Sequence, residues 1–284
     1  MTNSFTGFVP AIWSKKFIKL YDKLTVMQGL VNTDFEGDIQ NFGDTVHVRQ
    51  FGDVAINTYT RNGNITITDV SGTDNTLVID QSKHFAFKVD DLDKAQSDIN
   101  IMEGYLKRAA VGIRNTIDSR LLSHYVDAAP ANVQGSTSLP TTLTPANVYD
   151  AFVDMATTFA NANQDPDMEM HAVVNPTVRA IILKSPELRD RSTTMVDESI
   201  KNGRVGKFGG FTVHVTTNYS AVNGTIPLLF FNRDFISFAS QLNKIESVRQ
   251  ENSFADLVKG LYLYGSKVFA TQSNAGGVIY VSNV

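Results

Sequence analysis

Leu92, Ala95, Ile99, Met102, Leu106, Ala109, Ile113, Ile117 and Leu121 follow one another at steps of three or four residues. A helix gathers residues so spaced on one side, so the run predicts one amphipathic helix from about Asp91 to Ala128, on the order of 55 Å long. Asp90, Asp91 and Asp93 complement the positive end of such a helix, and Pro130 lies just past its far end. Gly104 and Gly112 would each cost it about 1 kcal/mol relative to alanine. Glycines kept at that cost point to a close backbone approach or a bend. A helix this long with one apolar side acts as a girder, against which the rest of the chain is laid.

The residues before it carry a different period. Val46 and Val48 alternate with polar neighbours, as do Ile65 and Ile67, Leu77 and Ile79, and Phe85, Phe87 and Val89, which reads as strands. Between the first and later runs lies NTYTRNGNITITDVSGTDN, polar and turn-rich, with Asn62-Gly63 as a hairpin signal. A long hairpin so poor in apolar residues at its middle has no core of its own and must find its stability against something else. At its tip Tyr59 and Arg61 pair an aromatic with a guanidinium, residue types enriched at interface anchors. Both are expected to lie on a neighbouring copy. Nearer the start, Trp13, Phe17, Leu20 and Leu24 fall at helical spacing opposite Lys15, Lys16, Lys19 and Lys23. A basic amphipathic helix can lie on a membrane. The simpler expectation is an arm whose apolar stripe, Trp13 and Phe17 included, packs on its own fold or on a neighbour.

After the long helix, APANVQGSTSLPTTL reads as a boundary between two lobes. Thr144 is placed to cap a helix with Pro145 at its first position, and Val148, Phe152, Met155 and Phe159 mark its buried side. MEMHAVVN reads as a buried strand and Asn175-Pro176 as the start of a further helix through Leu183. Residues 189–205 are polar and expected to be loosely held. GGFTVHVTTN alternates, PLLFF is wholly apolar, and strand-like runs follow at 245–248, 257–269 and in GVIYV. The second half is therefore α+β, a central sheet with helices against it.

Composition narrows the function. The 284 residues are 42% hydrophobic and 19% charged with a net charge of −4, enough for a sizeable core and without a basic field to draw nucleic acid or anionic lipid. No cysteine is present, which removes disulfides and thiolate chemistry and fits a reducing compartment. No apolar window reaches the roughly 18 residues of a membrane span, and the first residues lack a secretory apolar region. Asp34, Glu36 and Asp38 alternate but miss the twelve-residue calcium-loop pattern. NGRVGKFGG lacks the phosphate-loop spacing and reads as a turn into the strand at Phe211. His47, His84, His124, His171 and His214 sit on separate elements without ligand spacing, the first, fourth and fifth as strand residues at the edge of a core. No set of residues marks a catalytic, metal or cofactor site. The sequons at Asn64, Asn218 and Asn223 carry no weight without a secretory route.

The order of these parts, and several stretches of wording, resemble the major capsid proteins of tailed bacteriophages, and the coat family of short-tailed phages in particular. The stretches are IWSKKF at 12–17, LVNTDFEGDI at 30–39, GDTVHV at 43–48, DQSKHFAFKVDDLDKAQSDINIMEGYLKRAA at 80–110, NGRVGKFGGFTVHVTTN at 202–218 and GLYLYGSKV at 260–268. The segment at 84–110 is the most specific of them. The resemblance implies an α+β capsid fold of the Hong Kong 97 type: an N-terminal arm over 1–42, an E-loop hairpin with flanking strands over 43–90, and a spine helix with its following loop over 91–143. The remainder, 144–284, would be mainly an axial domain, with late strands returning to the peripheral one. It also implies a subunit that catalyses nothing, binds no cofactor or metal, and assembles with itself into pentamers, hexamers and a closed icosahedral shell made in the host bacterial cytoplasm. A portal protein, a separate scaffolding protein, a decoration protein and double-stranded DNA held without sequence preference are the expected partners, with no membrane. No lysine occurs between Lys23 and Lys83, so a lysine isopeptide from the hairpin tip is not expected. An encapsulin-like compartment shares the fold and is the nearest alternative.

Overall fold

The computed structural model describes residues 27–34, 45–51, 54–59, 61, 64, 67, 69, 72–90, 101–165, 168–186, 206–219, 221–249 and 254–282. The predicted arm helix with Trp13 and Phe17, the Asn62-Gly63 turn and the polar stretch 189–205 lie outside these residues.

The long helix is α1, Ile101–Leu122, 22 residues or about 33 Å. Its expected first ten residues, 91–100, fall outside the described ones. At the other end the prediction ran too far. The chain tightens into a 3-10 turn, Ser123–Asp127, because His124 is turned inward. Leu106, Ala110, Ile113, Ile117 and Leu121 form its buried stripe, as the spacing required except that Ala110 takes the core place expected of Ala109, which is only partly buried. Among the described residues a Cβ on Gly104 or Gly112 would have nothing within 4 Å. Of the two alternatives, a close approach or a bend, the first is not seen among these residues.

The described strands form three sheets. Strands β1 (Thr45–Phe51) and β2 (Gly72–Val78) form an antiparallel ribbon, pairing from Thr45 opposite Val78 to Phe51 opposite Gly72. Strand β3 (Gln81–Asp90) leaves that ribbon and joins two later strands, β9 (Ser237–Arg249) and β10 (Ala255–Lys267), in the order β3-β10-β9. Phe87 of β3 lies 5.6 Å, centroid to centroid, from Tyr105 of α1.

The third sheet has six strands in the order β4-β11-β8-β5-β7-β6. These are β4 (Val133–Gln134), β5 (Met170–Val174), β6 (Lys207–Phe208), β7 (Phe211–Val215), β8 (Thr225–Asn232) and β11 (Gly276–Ser282). The loop read as a lobe boundary is thereby stitched into this sheet through β4, and Asn132, buried before it, donates to the carbonyls of Asn274 and Gly276 at 2.9 and 3.0 Å. The turn Gly209-Gly210 between β6 and β7 has φ of +56° and +94°, the backbone of a two-residue hairpin, as the glycine-rich reading expected.

Both faces of this sheet are covered, which explains why β8 is buried at every step. Leu228 and Phe230 face helices α2 (Val148–Asn161) and α3 (Pro176–Leu183), while Leu229 and Phe231 face α1. Asn175 caps α3 as predicted, accepting from the Val178 amide at 2.8 Å. Thr144 does not cap α2. The helix begins three residues after Pro145, at Val148, and the Asn147 side chain instead accepts from the Thr144 amide at 2.7 Å.

Tyr219 holds the sheet at its centre. Its hydroxyl donates to the Val173 carbonyl at 2.5 Å and accepts from the Leu229 amide at 3.2 Å, joining β5 to β8. Burial pushes its pKa up, so it stays a neutral donor. Tyr219→Phe would leave both backbone groups buried without that partner, and chemical unfolding of the subunit should show a loss of about 2 kcal/mol. An unchanged midpoint would mean that water or a backbone shift replaces the hydroxyl.

Candidate functional site

The ribbon β1–β2 has a fixed root and a bare tip. Val46, Leu77 and Ile79 are buried against Ala239, Leu263 and Phe269, so the root rests on the chain's own body. The sequence reading gave the hairpin no such anchor, because its partners lie some 160 to 220 residues later. Lys267 donates to the Thr76 carbonyl at 2.7 Å, and His47 lies 3.2 Å from Asp74 across the ribbon. His47 is exposed, not at a core edge as expected, since its alternation places it on the open face.

Phe51 opposite Gly72 is the last described pair of the ladder. All the described residues of the tip are exposed, among them Val54, Ile56 (98% exposed), Tyr59 (67%), Arg61 and Ile67 (89%). Four apolar or aromatic side chains on one projecting element are surface that water disfavours and a partner would cover. Tyr59 and Arg61 are both exposed in the segment between β1 and β2. Another exposed aromatic, Phe254 (79%), lies just before β10, and nothing in the local sequence pattern marked it.

Two polar clusters were missed because their members are far apart in sequence. Asp118 of α1 is fully buried beneath Met27 and accepts from Asn218 at 3.1 Å, with Arg114 Nε at 3.8 Å. Burial raises its pKa, opposed by Asn218, Arg114 and the Met27 backbone. His124 lies between Asp127, 2.7 Å from Nδ1, and the Ser266 hydroxyl, 2.8 Å from Nε2. These are the contacts of a Ser-His-Asp relay, and burial lowers the imidazole pKa, with Asp127 opposing. The ring is 7% exposed, however, and bridges the end of α1 to β10. The arrangement is a clamp between two elements, without an open face at the imidazole for a substrate.

Among the described residues no group of three or more His, Asp or Glu side chains could hold a metal ion, and no helix is long and apolar enough to cross a membrane. Comparison with known proteins decides what such a chain is. A family profile described as phage capsid protein matches residues 74–280. The chain belongs to the phage capsid protein family. The capsid subunit also resembles solved structures. It aligns with a structure from Mycobacterium phage Che8 at TM-score 0.69 and 23% identity, covering 91% of each chain. With the capsid of cyanophage P-SCSP1u the TM-score is 0.67 at 14% identity, over 90% of this chain and 86% of that one. A virus-like particle from Pyrococcus furiosus gives 0.56 at 12% identity, over 96% and 99%. Among curated proteins the chain finds no match. The capsid subunit therefore has the Hong Kong 97 type fold, and its role is that of a major capsid protein, a structural unit of the virion shell.

Proposed function

We propose that this capsid protein builds its shell through its extensions. The arm with Trp13 and Phe17 and the ribbon tip with Tyr59 and Arg61 lie on adjoining copies, giving rings of five and six that join into a closed icosahedron. The observation that carries this is the contrast within the ribbon: a root buried on its own chain and a tip left with Ile56, Tyr59 and Ile67 bare. An isolated subunit gains nothing from exposing them. The division into an arm over 1–42, an E-loop over 43–90, a peripheral region over 91–143 and an axial region from 144, with β9 and β10 serving the peripheral one, follows the same reading.

The subunit catalyses nothing, uses no cofactor, and forms its shell in the host bacterial cytoplasm with a separate scaffolding protein, a portal and, where present, a decoration protein. The double-stranded DNA inside is contained without sequence recognition, as suits a net charge of −4. An encapsulin-like compartment has one observation in its favour, the likeness to the Pyrococcus furiosus particle over nearly the whole chain. A portal or terminase gene beside this one favours the virus, and a cargo-enzyme gene favours the compartment.

The test is the double variant Tyr59→Ala, Arg61→Ala. Interface anchors of these types are worth about 1 to 2 kcal/mol each, so the variant subunit should fold normally while its shells form poorly or dissociate at lower denaturant. Shells of normal yield and stability, seen by electron microscopy and light scattering, would remove the tip from the interface.

A further inference from the structure

Strands β5 and β7 run parallel, with Val173 opposite His214 and His171 opposite Thr212. Alternation puts both histidines on one face, and their rings meet: His214 Nε2 lies 3.4 Å from His171 Nδ1, with centroids 5.3 Å apart. They line one side of a cavity of about 510 Å³, whose other side is the segment from Gln28 to Val31 with Thr33. That segment is held beyond the cavity by Asn32, which exchanges backbone hydrogen bonds with Ile236 and Phe238 at 3.0 and 2.8 Å, and by Asp34, 2.8 Å from Arg233.

We propose that the His171–His214 pair is an acid-sensitive latch on residues 27–34, closed while at least one of the facing nitrogens is bare and opened when both rings carry protons. A hydrogen bond between two imidazoles needs one bare nitrogen. The first proton can be shared across the contact. The second sets N–H against N–H and two positive charges 3.4 Å apart. The charged groups around the pair cannot absorb both. Glu169, two residues before His171 on β5, offers one negative charge. Arg233, which lines the same cavity, adds a third positive one, and Asp34 of the covering segment is already engaged by Arg233. The surplus charge faces the segment across the cavity.

The direction of titration agrees. Burial lowers both histidine pKa values below the usual 6.5, His171 lowers His214 further, and Glu169 opposes. A folded value below the unfolded one means that the stabilisation is complete above pH 6.5 and is lost as the pH falls below it towards the folded values. The latch belongs to the subunit's own fold, so its failure would leave the shell-building role untouched.

Hydrogen exchange by mass spectrometry on the full-length protein, at about pH 7.5 and pH 5 and corrected for intrinsic amide rates, tests this. Peptides covering 27–34 should exchange about tenfold faster at the lower pH, while α1 stays protected. His171→Gln with His214→Gln, which can still bond to each other, should remove the acceleration. Equal corrected rates in the natural protein, acceleration spread equally over α1, or the same acceleration in the double variant would each overturn the latch. Should the double variant fail to fold, the natural protein's own comparison of 27–34 with α1 decides.

Discussion

Phe152→Ala is expected to destabilise the subunit by about 4 kcal/mol, enough to leave much of a marginally stable chain unfolded. Phe152 projects from α2 onto the six-stranded sheet, fully buried, with edge-to-face contacts to Phe208, Phe211 and Phe230 at centroid distances of 5.1, 6.1 and 5.0 Å. Its neighbours are rings fixed on three strands, so they cannot close over the space an alanine would leave. Gly209 faces it from the turn between β6 and β7, and a Cβ there would fall 2.6 Å from the Phe152 Cβ, so the backbone is already as near as it comes. Urea unfolding of the unassembled subunit measures the loss. A drop below about 1 kcal/mol would mean that the site collapses, contrary to the rigid packing described.

Gly265→Ala should cost about 3 kcal/mol, and the damage should centre on the ribbon root. An added Cβ would lie 2.3 Å from the Val78 carbonyl oxygen and 3.1 Å from the Ile79 Cα. These are main-chain atoms, so no side-chain rotation relieves the clash. The root must move off β10, uncovering Leu77 and Ile79. Exchange protection should fall at 72–80 before it falls in β8, and shells should assemble poorly because the tip is mis-aimed. Gly104→Ala is the contrasting control: its Cβ meets nothing within 4 Å on an exposed helical turn, so the subunit should gain about 1 kcal/mol. If Gly265→Ala proved as harmless as Gly104→Ala, the close approach at β10 would be wrong.

Sequence alone revealed what depends on local period. The buried stripe of α1, the buried side of α2 at Val148, Phe152, Met155 and Phe159, and the two-faced burial of PLLFF were all legible, because 3.6- and 2-residue periods report which side faces a core. Helix ends were less so. Ser123–Asp127 turns tighter because His124 finds Asp127 and Ser266, and α2 starts late because Asn147 competes for the backbone at Thr144. What could not be read were pairings across long stretches of chain: β3 with β10, His171 with His214, Asp118 with Asn218. No local pattern encodes which of two distant strands become neighbours, and the resemblance to capsid proteins supplied the topology that periodicity could not.

Strands β5 and β8 divide their residues step by step between the two cores, Leu229 and Val173 to one, Phe230 and Ala172 to the other. The seam between the halves of this protein therefore runs down the middle of single strands and not along a linker. A chimera made by cutting at any loop would inherit one set of side chains matched to its old companion and one matched to nothing. Such a coat protein can exchange its projecting tips with relatives far more freely than it can exchange a lobe.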